Sequence, residues 1–155
     1  MKNSGEKSLS YNDAVEEALC FGWIDSTIKN LDSLHRIQRF SPRKKGSGYS
    51  RANIERLIWL ESKGMIHPNV RGSILEIIKV PYEFPNDIIE VIRNEDIVWK
   101  NYEKFPEAYK RIRIAYIDAA RKRPLEFKKR LENFISKTRE NKLIKGFGGI
   151  EKYYK

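Results

Sequence analysis

The feature that most constrains this chain is the way prolines, glycines and serine caps cut its apolar periodicity into short lengths. Ser10, Gly22, Ser50, Gly64, Pro68, Pro81, Pro85, Pro106 and Pro124 all sit at the ends of segments with helical apolar spacing. Proline lacks an N–H and is tolerated only at the first helical turn, whereas glycine reaches the left-handed conformation that closes a helix. Short helices are therefore predicted from Tyr11 to about residue 21, from Ser50 to Gly64 and from Pro68 through Ile78. Others follow at Ile88–Ile92, from Asn94 through Tyr102, from Pro106 through Ala119, and from Pro124 through Ile135. In the first of these Asp13, Glu16 and Glu17 are expected to face outward. There is no internal repeat and no low-complexity tract.

One region breaks the helical period. Trp23-Ile24 and Thr27-Ile28 are β-branched or aromatic, and Asn30-Leu-Asp-Ser33 reads as a turn. His35 to Phe40 then alternates, with His35, Ile37 and Arg39 on one face and Arg36, Gln38 and Phe40 on the other. Pro42 ends this second strand, and Lys44-Lys-Gly-Ser-Gly48 is a basic loop. The fold class expected is α+β and mostly α: a short β-hairpin near the N-terminus packed on a bundle of five to seven short helices. Residues 1–155 are read as a single domain, with a helix-plus-hairpin region at 11–48 and a helical region at 49–145. Residues 146–155, opening on Gly146-Phe-Gly-Gly149, are expected to form a loosely held tail.

Composition narrows the function classes. The chain has 155 residues, 40% of them hydrophobic and 34% charged, as in folded rather than disordered proteins. No apolar run approaches the roughly 20 residues that span a bilayer. No signal-peptide pattern precedes Tyr11, so a cytoplasmic protein is expected. The formal net charge of +10 is lopsided, because residues 101–155 hold 16 Lys/Arg against 7 Asp/Glu. Such a region can attract nucleic acid or acidic protein, or it can be a solvated helix face.

Motifs for specific chemistry are few. Cys20, His35 and His67 are the only soft or imidazole ligands and show no recognised spacing, so neither metal nor cofactor is expected. Cys20 follows Glu16 and Glu17 at a helix C-terminus, which disfavours a thiolate; it reads as buried and inert. No nucleophile elbow or phosphate-cradling glycine loop occurs. Asp25, after the apolar Phe21-Gly-Trp-Ile24, is either a ligand-binding carboxylate beside Trp23 or a residue that orders its turn. Trp23 is expected to anchor the core. Arg36, Arg39, Phe40, Arg43, Lys44, Lys45 and Tyr49 interleave cations with aromatics, a pattern suited to phosphates and stacked bases. Its plain alternative puts Phe40 and Tyr49 in the core. Arg121-Lys122-Arg123, with Lys128-Lys-Arg130, can form a positive ridge across Pro124.

The run Ala14-Val-Glu-Glu-Ala-Leu-Cys-Phe-Gly-Trp-Ile-Asp25, with Gln38-Arg-Phe-Ser-Pro-Arg43 and Ala119-Ala-Arg-Lys-Arg-Pro124, resembles the YdeI/OmpD-associated, or bacteriocin-protection, family. The resemblance extends over nearly the whole chain. It implies a link to protection against bacteriocins and cationic antimicrobial peptides and carries over no catalytic residue. It also implies that the family's usual N-terminal helix and strand are missing before Tyr11, so that the hairpin edge is open to a second chain. A basic protein repels cationic peptides, so a protective effect is expected to be indirect. The leading expectation is a non-enzymatic protein that binds an anionic partner, nucleic acid or acidic protein, through Arg36, Arg39, Arg43 and the Arg121–Arg130 ridge. The rival is a small-molecule site or enzyme pocket beside Trp23 and Asp25, and the third possibility is a homo-oligomer formed through the hairpin edge.

Overall fold

The structure, a computed structural model, describes residues 9–33, 35–44, 46–145 and 150–154. It is mostly helical with one N-terminal hairpin, as the punctuation predicts. Its contacts gather the chain into two compact units that divide at Val80/Pro81.

In the first unit, α1 (Tyr11–Cys20) begins where the Ser10 hydroxyl accepts the Asp13 N–H at 3.1 Å. Gly22 follows at φ +70°, and a Cβ there would lie 3.3 Å from Val70 Cγ1, so both backbone conformation and packing call for glycine. Strands β1 (Trp23–Asn30) and β2 (Arg36–Pro42) form an antiparallel ribbon, with a bulge between Asp25 and Ile28. Ser50 caps α2 (Arg51–Ser62) through the Asn53 N–H, and Pro68 opens α3 (Pro68–Ile78). Leu19, Leu57, Leu60, Ile66 and Ile74 form the buried centre, with Phe40, Tyr49, Trp59 and Val70 packed around it. Each fully buried leucine here contributes about 1.5–3 kcal/mol of hydrophobic stabilisation.

Two side chains in this unit lie differently from expectation. Trp23 is 41% exposed rather than a core anchor. It stands on the ribbon opposite Pro42, outside the core cluster that Phe40 on the same face joins. Glu16 is only 7% exposed rather than outward-facing. The α1 surface that carries it meets α2, whose buried Glu55 and Arg56 make this contact polar. Arg56 donates to the Asn12 and Asn53 side-chain carbonyls at 3.2 and 3.0 Å, and Arg51 pairs with Glu55.

The second unit comprises α4 (Asn86–Arg93), α5 (Asp96–Glu103), α6 (Glu107–Asp118) and α7 (Pro124–Arg139). Its core joins Ile88, Ile92, Val98, Ile114 and Ile117 to the rings of Tyr102, Phe105, Tyr109 and Phe134. Tyr109 stacks on Phe134 with centroids 6.3 Å apart, and Phe105 meets it edge-on at 5.4 Å. Asn101 donates to the Thr138 and Arg139 carbonyls in the last turn of α7, tying α5 to its end. Within the stretch expected to be a loosely held tail, Ile150–Tyr154 form a 3-10 helix. Tyr153 is 5% exposed, and the Tyr154 ring lies 5.4 Å from that of Tyr109. Two consecutive tyrosines supply enough apolar area to dock this segment. Gly146 to Gly149 lie outside the described residues.

Candidate functional site

The ribbon brings together some of the residues singled out by the sequence. Trp23 pairs with Pro42 and Asp25 with Phe40, so Trp23, Asp25 and Phe40 share one face near the ribbon's base. Asp25 accepts the Tyr11 O–H at 2.7 Å, which ties the start of α1 to β1. Burial and this bond to Asp25 push the Tyr11 phenol up to about 12. Phe40 and Tyr49 pack against the core. The Arg43 guanidinium lies 3.8 Å above the Tyr49 ring and donates to the Gly48 carbonyl at 2.7 Å, while its backbone N–H donates to Gly22. Arg43 thus closes the loop after β2. Arg36 and Arg39 stand exposed farther along the strand. Cys20 is buried, and its thiol is pushed up to about 11 by burial first and by Glu17 and Glu16 next.

In the second unit the arginine run is broken up by carboxylates. Arg121 makes two parallel bonds of 2.8 Å to Asp87 and also pairs with Asp118, which joins α4 to the end of α6. Hydrogen bonding to Arg121 holds the Asp87 carboxyl below its ordinary range. Arg130 donates to Glu126 and to the Tyr116 carbonyl, both at 2.7 Å, with its guanidinium 3.7 Å from the Tyr116 ring. Lys122 and Arg123 are exposed at the start of α7. Two arginines of the expected ridge, Arg121 and Arg130, are thus engaged by carboxylates, while Lys122 and Arg123 are left exposed.

A more concave basic feature lies between α6, α7 and residues 144–145. A cavity of about 420 Å³ is lined by Arg113, Tyr116, Glu126, Lys129, Arg130, Asn133, Phe134, Ile144 and Lys145, among others. A second, of about 520 Å³, shares Asn133, Ile144 and Lys145 and adds Lys137, Lys142, Glu151 and Tyr154. Together they present six cations against two carboxylates. Of those carboxylates, Glu126 is held ionised below its ordinary range by Arg130. Arg113 is buried: it donates to the Ile144 carbonyl and lies 5.6 Å from the Tyr109 ring. Tyr109 in turn accepts the Ile144 N–H at 3.0 Å, so this pair fixes the cleft's far wall. Lys129 and Lys145 make no ion pair among the described residues.

Of these cleft residues, Lys129 and Arg130 belonged to the expected ridge. Arg113 carried a readable signal, since it falls one turn after Tyr109 and one turn before Ile117, on the helix face those apolar residues share. Lys145 carried none. Among the described residues no group of three or more His, Cys, Asp or Glu is placed to hold a metal ion, and no helix there is long and apolar enough to cross a membrane.

The second unit is thus a small basic helical domain with a cleft along its last helix. Residues 81–141 match the family model described as "Bacteriocin-protection, YdeI or OmpD-Associated". Residues 1–72 match a different model, "Domain of unknown function (DUF8412)". No curated protein and no solved structure matches the chain. The YdeI/OmpD-associated recognition therefore stands over the second unit, where Ala119-Ala-Arg-Lys-Arg-Pro124 lies. The stretches Ala14–Asp25 and Gln38–Arg43 fall within the other match. The second match begins where the compact units divide, and the first ends eight residues before that point.

Proposed function

We propose that this protein binds an extended, phosphate-bearing polyanion, such as single-stranded nucleic acid, in the basic cleft of its second unit, in the cytoplasm and without catalysis. The observation that carries this reading is the pair of adjoining cavities lined by six cations and two carboxylates. Low-dielectric walls around like charges focus the potential at a cleft floor more strongly than a flat ridge does. The shared lining at Asn133, Ile144 and Lys145 suits an elongated ligand. A strand fits such a cleft better than the convex surface of a folded acidic protein.

Non-enzymatic action is favoured by the chemistry of the lining. Among the described residues it holds no cysteine, histidine, serine or threonine, and Glu126 is engaged by Arg130. The match of residues 81–141 to bacteriocin-protection proteins fits an indirect protective effect, since this cleft repels cationic peptides. The alternative, a pocket beside Trp23 and Asp25, gains nothing from the Asp25 carboxylate, which is already engaged by Tyr11. Fluorescence anisotropy of a labelled single-stranded oligonucleotide, titrated at low and at moderate salt, tests the proposal. Binding that weakens steeply with salt is expected; absence of binding at low salt rejects it.

A further inference from the structure

We propose that the outer edge of β2 is a docking edge for an extended acidic segment of a partner protein, which adds to the ribbon as a third strand. Antiparallel pairing alternates between residues that bond across the ribbon and residues whose N–H and C=O point away from it. The Leu31 N–H bonds to the His35 carbonyl and the Arg43 N–H to the Gly22 carbonyl, which fixes that alternation at both ends. With the observed register, the main-chain groups of Arg36, Gln38 and Phe40 point away from β1. On its other side the ribbon meets α1 through β1, and among the described residues no further strand pairs with β2.

The charges indicate which occupant suits this edge. Both acids of the hairpin are engaged: Asp25 by the Tyr11 hydroxyl at 2.7 Å and Asp32 by the His35 ring at 2.6 Å. Lys29, Arg36 and Arg39 make no ion pair among the described residues. Beside them Ile28 and Ile37 are 57% and 53% exposed. Open main-chain groups, free cations and bare isoleucines on one ribbon match a strand that alternates acidic and β-branched residues. A second copy of the same edge would bring Arg36 and Arg39 towards their own equivalents, and like charges facing across strands repel.

The test uses the full chain and a labelled peptide of alternating glutamate and valine, followed by anisotropy. Controls are the lysine–valine counterpart and the glutamate–valine peptide N-methylated at alternate residues. The acidic peptide is expected to bind at least tenfold more tightly than either control, and to lose most of that affinity to Arg36→Glu/Arg39→Glu. The N-methylated peptide keeps its charge and needs no protein variant, so equal binding of that peptide overturns strand addition even if the double variant misfolds. Equal binding of the lysine peptide overturns the charge assignment. Sedimentation that shows a peptide-free dimer, abolished by Ile37→Ser, assigns the edge to a second copy and overturns the proposal. Displacement of the peptide by an oligonucleotide, lost in the arginine double variant, reassigns the ribbon to nucleic acid and overturns it as well.

Discussion

The hairpin and the start of α7 hold similar runs of arginine, yet they differ in what their neighbouring carboxylates do. On the hairpin, Asp25 and Asp32 are engaged by Tyr11 and His35, so Lys29, Arg36 and Arg39 keep their charge open to solvent. Around α7, Arg121, Arg130 and Arg139 each hold a carboxylate, from Asp87 and Asp118, Glu126 and Glu95 respectively. Arginine density along a chain therefore overstates available positive potential wherever the fold supplies acids from distant segments. In the cleft Arg130 pairs with Glu126, and Lys137 and Lys142 share Glu140, whereas Lys129 and Lys145 make no ion pair among the described residues.

The largest effects are expected where the two regions are packed rather than exposed. Tyr109→Ala removes a buried ring and the acceptor for Ile144, and is expected to cost about 3–5 kcal/mol, read as a lower urea midpoint. It also opens the cleft wall and weakens oligonucleotide binding. Ile37→Ser on the ribbon is expected to change stability by less than about 0.5 kcal/mol in the same assay, as surface substitutions do. A comparable loss at both positions would break the distinction between packed core and exposed ribbon.

Next in size is the polar contact between α1 and α2. Glu55→Ala leaves Arg51 facing a buried gap, and a loss of about 3 kcal/mol is expected on equilibrium unfolding. A variant as stable as the parent would show that water already reaches that pair.

A smaller, pH-dependent effect belongs to Cys20. Its folded thiol lies near 11, above the ordinary value of 9.0, so the native state disfavours the thiolate. The stabilising contribution is whole below pH 9 and is lost as pH rises towards 11, amounting to roughly 2–3 kcal/mol. Unfolding midpoints from pH 8 to 11 check this, with Cys20→Ala as the flat reference. At pH 8 a maleimide is expected to label Cys20 only after denaturation. The smallest effect is expected at Arg121→Ala. The Asp87 pair is exposed, and such pairs contribute little to stability. The unfolding midpoint and the oligonucleotide affinity are both expected to stay near parental values.

Most of the fold was legible because its signals are local. The Ser10 and Ser50 caps, the Gly22 and Gly64 stops and the Pro68 and Pro124 starts each act within a few residues. What escaped depends on partners far along the chain. Glu16 is buried because α2 brings polar side chains to it, as the 44-residue span from Asn12 to Arg56 illustrates. The cleft exists because Tyr109 and Arg113 hold Ile144, a pairing that no periodicity encodes. Trp23 was misread because aromatic residues usually favour burial, whereas this ribbon face packs on the core at Phe40 and leaves Trp23 41% exposed.

The most direct measurement is the salt dependence of oligonucleotide affinity for the parent, for Lys129→Glu/Lys145→Glu and for Lys122→Glu/Arg123→Glu. If the cleft is the site, the first pair loses affinity and its log Kd against log salt flattens by roughly 1.4, the slope of two lost single-strand phosphate contacts. The second pair, exposed at the start of α7, then stays close to the parent. Equal losses in the two pairs would mean that diffuse surface charge, not the cleft, binds the polyanion, and would contradict this account.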